Sequence, residues 1–536
     1  MKNYIDCMNE ISDDELFDGL LGFGMFAEKL PPIFTSEHFL DYCKNNPSIL
    51  GQSKPNRYVY FESIRNTNVP RALGIPTPIC YGKLCLELKD NWDKIKDVFR
   101  NNTLNDNYKV SRIHIRKRQN SEALLKMTYG EEMEDDDNDD SIDADMIPLT
   151  TESEIYHESL FSMNYKNWKI DGDPLMDFSL GMKYVVKTDI SQCFPSAYSH
   201  AISWALVGKE YSKTHRNNSL WFNKIDKACR NTKDGETLGF LIGPHTSNVL
   251  SEILLTSIDK ELREKGYLFI RNIDDYTCYT ESYEKAENFL NDLVTELRKY
   301  NFALNHKKTL IEELPQATAE EWIQVLRDKQ VIGRYGTIDY NTARSYLDSA
   351  ILVMNNNSKN ASSLLFAIKV LGNPSIGISN SAKKYCIKKM CSLAIIYPYL
   401  VPNIDKYVFD AFNASIFEIE LFTQKLYEDS VKQRNYEGIC YALYFAIKYN
   451  FMISIEKESI INSIDCLSKL LLWLYSCKYE FDQMKNDLLN EARRLVTVNE
   501  FDENWIFLYE VLPESELQNE WKTMKAAGIS FIKNVI

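Results

Sequence analysis

Three short segments carry side chains whose types and order suit catalysis. In the first, residues 184–196 (YVVKTDISQCFPS), an apolar run ends on Asp189 and an aromatic ring, Phe194, follows five residues later. In the second, residues 268–276 (LFIRNIDDY), another apolar run closes on two adjacent carboxylates, Asp274 and Asp275. If the two runs lie side by side, Asp189 and Asp274 converge. Carboxylates that close repel one another unless divalent cations share them. Two such cations roughly 3.5–4 Å apart activate an attacking oxygen and stabilise a leaving phosphate oxygen, which is the arrangement nucleotidyl transfer needs. Between the two runs, the third segment, Gly239-Phe240-Leu241-Ile242-Gly243-Pro244, sets two glycines four apart before small polar residues that open a helix, so that backbone can approach a nucleotide closely. Downstream, Leu304-Asn305-His306-Lys307-Lys308-Thr309 forms a basic turn. His245 and His306 lie beside these segments and read as hydrogen-bonded structural residues.

The elements that must position these groups follow from periodicity. Short β-branched runs at 58–61, 111–116, 184–189, 268–273 and 277–280 predict strands, with a hairpin over 268–280, and amphipathic runs at 195–207, 246–265 and 283–300 predict helices. Strands and helices interspersed in this way point to an α+β domain. After about residue 320 the strand pattern stops. Ile460, Ile464, Leu467, Leu471 and Leu474 predict one apolar stripe along a helix, and similar stripes recur at 341–353, 363–370, 384–396, 417–427, 439–449 and 481–495. Their density suggests an array of helix pairs, with 330–339 as the junction. In residues 112–118 (RIHIRKR), strand period two places Arg112, His114, Arg116 and Arg118 on one face. That face suits a triphosphate or template-backbone clamp; its plain alternative is an edge strand whose charge discourages aggregation.

Composition narrows the function classes. The chain has 536 residues and a formal net charge of −14, but residues 131–145 (EEMEDDDNDDSIDAD) alone hold ten carboxylates and no base, so the remainder is nearly balanced. A run this acidic stays solvated and reads as a surface loop, or as a nucleic-acid mimic over a basic groove. Twelve scattered cysteines, with no Cys-x-x-Cys pair and no His pair at metal spacing, argue against structural zinc and fit a reducing compartment. No apolar run approaches the roughly 18 residues that span a bilayer, and the start of the chain lacks a secretory pattern; a cytoplasmic protein with no membrane partner is expected. Tyr4, Tyr42, Tyr58 and Tyr60 carry hydroxyls that could prime synthesis, but packing is the favoured reading for each.

Asp-(x)4-Phe, a glycine turn, an Asp-Asp hairpin and a lysine turn, in this order, are similar to the palm of reverse transcriptases. KTDISQCFPS and LNHKKT, with PRALGIP at 70–76 as a first fingers motif, resemble bacterial abortive-infection or defence-associated reverse transcriptases. The resemblance implies reverse-transcriptase fingers and palm over 1–325, with the acidic insert at 131–145. An all-α helical-repeat (HEAT-like) domain over 326–536 would replace the usual thumb. It implies Asp189, Asp274 and Asp275 as catalytic residues, and Asp189, Ile190, Asp274 and Asp275 as the set around Mg2+, with Mn2+ as an alternative. For the deoxynucleotide it implies Phe194 as a steric gate against the ribose 2′-OH, together with Gly243, Arg112, Arg116, and Lys307 or Lys308 at the departing pyrophosphate. Implied partners are dNTPs, a nucleic acid (a dedicated non-coding RNA template, or none) and further copies of the chain as a trimer or hexamer. Two departures stand out. Asn272 occupies a usually aromatic position, and Ile242 stands where copying enzymes place a template-seating glutamine. Both favour untemplated or narrowly templated DNA synthesis. Three readings follow: an RNA-directed or untemplated DNA polymerase in antiphage defence, a catalytically silent scaffold that binds RNA or protein, and a retroelement enzyme copying its own RNA.

Overall fold

The computed structural model describes residues 4–51, 53–103, 116–117, 161–162, 174–316, 321–329, 331, 337–373 and 377–533. The acidic run 131–145 and Arg112, His114 and Arg118 lie outside them. Three N-terminal helices, α1 (Tyr4–Asn9), α2 (Asp13–Phe23) and α3 (Glu37–Asn45), precede a two-stranded antiparallel sheet of β1 (Val59–Ile64) and β2 (Pro70–Ile75). Helices α4 (Pro78–Asp90) and α5 (Trp92–Asn102) follow, then a two-residue pair, β3 (Arg116–Lys117) with β4 (Phe161–Ser162), and α6 (Pro174–Ser179).

The central sheet is antiparallel, in the order β6-β7-β5-β8, built from β5 (Tyr184–Asp189), β6 (Leu268–Asn272), β7 (Asp275–Thr280) and β8 (Leu310–Glu313). Between β5 and β6 lie α7 (Cys193–Ser196), α8 (His200–Val207), α9 (Lys209–Thr214), α10 (Trp221–Asn231) and α11 (His245–Glu264); α12 (Tyr283–Lys299) joins β7 to β8. The helix expected over 195–207 is therefore two helices. Ala197 leaves helical geometry and Tyr198 bridges to Leu238, which ties this break to the glycine turn. Register dictates the faces of the sheet. Lys187, Asp189, Ile270, Asn272, Asp275 and Thr277 share one face, while Val186, Thr188, Phe269, Arg271, Tyr276 and Cys278 point to the other. The second face is core, with Phe269, Tyr276 and Cys278 buried.

After β8 the described residues form helices: α13 (Glu321–Arg327), α14 (Tyr340–Asn356), α15 (Ser362–Leu371), α16 (Asn380–Ile396), α17 (Val401–Ile404), α18 (Ile416–Gln433), α19 (Tyr436–Tyr449), α20 (Lys457–Ile461), α21 (Cys466–Lys478), α22 (Asp482–Thr497), α23 (Trp505–Val511) and α24 (Asn519–Ala526). Several starts are written in the sequence. Asp339, Ser379, Ser415, Asn435 and Asp465 each accept a hydrogen bond from the backbone N–H three residues on, which satisfies a donor the helix leaves open. The stripe expected along one helix from 460 to 474 is broken at that Asp465 cap. It divides between α20 and α21, and Ile464 in the link is 84% exposed.

The helical half returns onto the first sheet. Glu437 on α19 accepts from the backbone N–H of Ile64 at 2.7 Å and from Ser63 Oγ at 2.8 Å. At the β1–β2 turn, Asn66 Nδ2 donates to Ser362 Oγ and Asn68 Nδ2 donates to the Ile396 carbonyl. At the base, Asn56 Nδ2 and the Arg57 backbone N–H donate to the Asp502 carboxylate, and Arg57 pairs with Glu503. Residues 531–533 hydrogen-bond alongside 33–35, with Phe34 bridged to Ile532.

Candidate active site

The β5 segment, the β6–β7 segment and the lysine turn meet at the same end of the central sheet. Asp189, the last residue of β5, lies directly opposite Asp275, the first residue of β7, and Asp275 lies opposite Asn272 at the end of β6. Asp274 occupies the two-residue turn between β6 and β7, where its carbonyl accepts from the Ile190 N–H at 3.1 Å. The two backbone turns at this edge are both unusual. Gln192 has φ 49° and Ile273 has φ 53°. The left-handed region is an outlier for a β-branched residue such as Ile273, and strain of this kind concentrates at functional sites.

The carboxylates differ in their surroundings. Asp189 is buried, and its Oδ2 is held by Lys308 Nζ at 3.1 Å and by Asn305 Nδ2 at 3.0 Å. Burial, then repulsion from Asp275 and Asp189, pushes the Asp274 carboxyl up to about 7. Asp275 is exposed. Partial burial works against the Lys308 charge, but Asp189, and then Asp275 and Asp274, hold it above the ordinary lysine range. Beside them, burial with Asp274 nearby pushes the Cys193 thiol up to about 12, which makes it a core thiol rather than a nucleophile.

Donor chemistry at this edge fits a divalent cation. Two carboxylates and a third at the adjoining turn concentrate negative charge, and after burial it is repulsion from Asp275 and Asp189 that raises Asp274, a repulsion a cation would relieve. Among the described residues, however, no three His, Cys, Asp or Glu side chains already converge as a closed metal cage.

The other expected residues separate into those at the edge and those that are not. Phe194 is half-buried, and its carbonyl accepts from the Phe240 N–H at 2.8 Å, which ties the turn after β5 to the glycine segment. Gly239 and Gly243 have φ 85° and 123°, geometry that only glycine adopts without strain. A Cβ on Gly243 would meet Ala27 Cβ at 3.3 Å and the Gly74 carbonyl at 3.6 Å, so its bare α-carbon serves contact with the β2 sheet. The Gly74 N–H in turn donates to the Ile242 carbonyl at 2.9 Å. Lys307 is exposed and forms no ion pair among the described residues, so of the two lysines it is Lys308 that meets the carboxylates. Ile190 has a buried side chain, and its N–H faces Asp274. Arg116 falls on β3, and Arg112 lies outside the described residues.

Two supporting groups were not assigned from the sequence. Asn305 donates its backbone N–H to the Asp189 carbonyl and its side chain to the carboxylate, while its Oδ1 accepts from the Lys307 N–H. An Asn opening a turn is a signal for such a bond. Arg271 is fully buried on the opposite face of β6. It donates to both oxygens of Asp259 (2.7–3.1 Å), to Glu252 (2.9 and 3.1 Å) and, from Nη1, to the carbonyl of Ile273 in the strained turn at 2.9 Å. Tyr276 and Tyr4 hydroxyls complete the cluster on Asp259 and Glu252. The only hint in the sequence is an arginine in an otherwise apolar strand.

Residues 154–335 match the family described as reverse transcriptase (RNA-dependent DNA polymerase). No curated protein matches the sequence significantly. Among solved structures, apo telomerase from Candida tropicalis aligns at 10% identity and a TM-score of 0.30, over 76% of this chain and 72% of that one. The same protein truncated from its C-terminal domain aligns at 14% identity and TM-score 0.27, over 50% and 52%. Telomerase from Candida albicans in complex with a TWJ fragment of telomeric RNA aligns at 12% identity and TM-score 0.25, over 82% and 65%. The chain thus spans between about half and three quarters of those structures. No described helix is long and apolar enough to cross a membrane. The family match over 154–335 puts a reverse transcriptase domain in this chain, and Asp189, Asp274 and Asp275 lie within that interval.

Proposed function

We propose that the domain polymerises deoxynucleotides, with Asp189, Asp274 and Asp275 around magnesium. The observation that carries this reading is the register of β5 against β7, which sets Asp189 opposite Asp275 with Asp274 in the adjoining turn. A primer hydroxyl oxygen forms the new bond to the α-phosphorus of the incoming triphosphate. The bond to the bridging oxygen breaks, and pyrophosphate leaves. Bound magnesium supplies activation of the attacking oxygen and neutralises charge on the leaving phosphates. Lys308, kept charged by the carboxylates around it, delivers its proton to the departing pyrophosphate. Phe194 excludes the ribose 2′-OH; Gly243 shapes the turn beneath the nucleotide; Arg112 and Arg116 contact phosphates. The helices of 326–536, taken as a HEAT-like array, stand in the thumb's place and carry oligomer contacts. Asn272 and Ile242 restrict templating, and the motif resemblance supports a setting in antiphage defence.

A second reading, a silent scaffold, is favoured by one observation: Asp189 is already engaged by Lys308 and Asn305, with no closed metal cage among the described residues. Incorporation of each labelled dNTP with magnesium, by wild type and Asp274→Asn, decides between them. The assay is run without template and with primer–template, and products are resolved before and after nuclease and protease. Synthesis by wild type alone supports the polymerase; no incorporation under any condition overturns it and leaves the scaffold.

A further inference from the structure

The segment from α9 to the end of α10 reverses the charge of the chain. Residues 209–231 hold six Lys and Arg against two acids, in a protein of net charge −14. One of those acids, Asp226, is buried and spent on His200 and Arg230. Lys209, Lys213, Arg216, Lys224 and Lys227 are exposed, and none forms an ion pair among the described residues; Glu210 is the other acid of the segment, and Asp90 lies near Lys224.

An aromatic feature lies within this basic surface. Tyr211, 49% exposed, stacks flat on exposed His215, with centroids 3.9 Å apart and planes 13° from parallel. The stack is held in place. Tyr211 meets Phe222 edge-on, and Asn223 Nδ2 donates to the carbonyls of His215 and Asn217, fixing the loop between the two helices. Arg216 Nε donates to the Lys213 carbonyl, and Lys209 Nζ lies 4.4 Å from the Trp204 ring centroid. Solvent-facing rings are costly to leave uncovered, and here exposed Lys213 and Arg216, with no ion pair among the described residues, flank the stack in sequence.

We propose that the α9–α10 surface is a binding site for single-stranded polynucleotide, separate from the carboxylate edge. Lys213, Arg216 and Lys227 contact phosphates, and an unpaired base extends the Tyr211–His215 stack. Flat stacking selects single strands, because in a duplex the base faces are already occupied; it is equally open to RNA and DNA. The site goes beyond the polymerase reading and stands or falls independently of it.

Fluorescence anisotropy of the full chain with labelled oligo(U) and oligo(dT), in EDTA and without dNTPs, tests the proposal. Lys213→Glu/Arg216→Glu should weaken binding on the order of 10-fold or more and lower the salt slope by about 1.4 or more. Tyr211→Ala should weaken binding roughly 5- to 100-fold while leaving the salt slope unchanged. The remote charge reversal Lys425→Glu/Lys432→Glu should bind within about two-fold of wild type. Unequal oligo(U) and oligo(dT) affinities, both lost in Tyr211→Ala, would assign the preferred sugar. Unchanged binding in Tyr211→Ala, equal affinity for duplex or polyglutamate, or an equal loss from the remote reversal would overturn the site. Because no turnover is measured, a protein that binds in this way but never incorporates nucleotides would lose the polymerase reading and keep this one.

Discussion

Two carboxyl groups in different regions are pushed by burial to the same value, about 7, and their neighbours could hardly differ more. Glu437, where the helical half meets the β1–β2 sheet, receives two protein donors, the Ile64 N–H and Ser63 Oγ. Asp274, in the turn between β6 and β7, faces two more carboxylates. At the joint, donors alone surround the buried carboxyl; at the turn, two carboxylates oppose it and only Lys308 and a backbone hydrogen bond offset them. Perturbed carboxyls are therefore not equivalent signs of function, and the chemistry of the partners separates a fastener from a poised site.

That contrast can be broken in several ways. The largest effect is expected for Asp274→Asn, which should lower incorporation by 10³-fold or more without lowering the melting temperature, since it removes repulsion. A loss of stability comparable to a core substitution would mean that Asp274 is structural after all. Arg271→Met tests the cluster behind the turn. It strands Asp259 and Glu252 without their cation and should cost about 3–5 kcal/mol in chemical denaturation. Lys308→Ala should reduce incorporation about 10²-fold and Lys307→Ala by less than about two-fold, and equal effects would refute the distinction between the two lysines. Glu437→Leu leaves the Ile64 N–H and the Ser63 hydroxyl without an acceptor and should cost about 1–3 kcal/mol, with nucleotide affinity altered less than in any palm variant.

The smallest effect is on pH dependence. Asp274 and Glu437 both have folded values above the ordinary carboxylate range, so the folded state holds the extra protons between about pH 4 and 7. Their contribution to stability is full at the acid end of that window and is lost as pH rises through 7. Thermal melts should show this slope reduced in Asp274→Asn and in Glu437→Gln. Above pH 7, magnesium should raise the melting temperature of wild type and of Glu437→Gln but not that of Asp274→Asn.

The convergence of the carboxylates was legible because it is a matter of period and punctuation. Strands that run apolar and stop on a carboxylate announce both their faces and their ends, and Asp189, Asp274 and Asp275 fell at one edge of the sheet as their spacing required. What was missed depends on contacts that sequence distance hides. Arg271 looks like an odd charge in a strand until α11 brings Glu252 and Asp259 against it. Asn305 looks like any turn residue until its side chain reaches Asp189 across 116 positions. The stripe through Ile464 failed for another reason: apolar spacing continues across a break, and the cap at Asp465, which was there to be read, outweighs it.

The fastening of the β1–β2 sheet has a bearing on how the chain can be divided. A lone two-stranded sheet is marginal in water, and this one is tied at its edge by Glu437, at its turn through Asn66 and Asn68, and at its base through Asn56 and Arg57. A cut anywhere between residues 326 and 436 would sever it from Glu437 and Asp502. The sequence change near 320 therefore marks a shift in architecture without marking an autonomous folding unit, and the segment before it is best expressed with the helical segment on the same polypeptide.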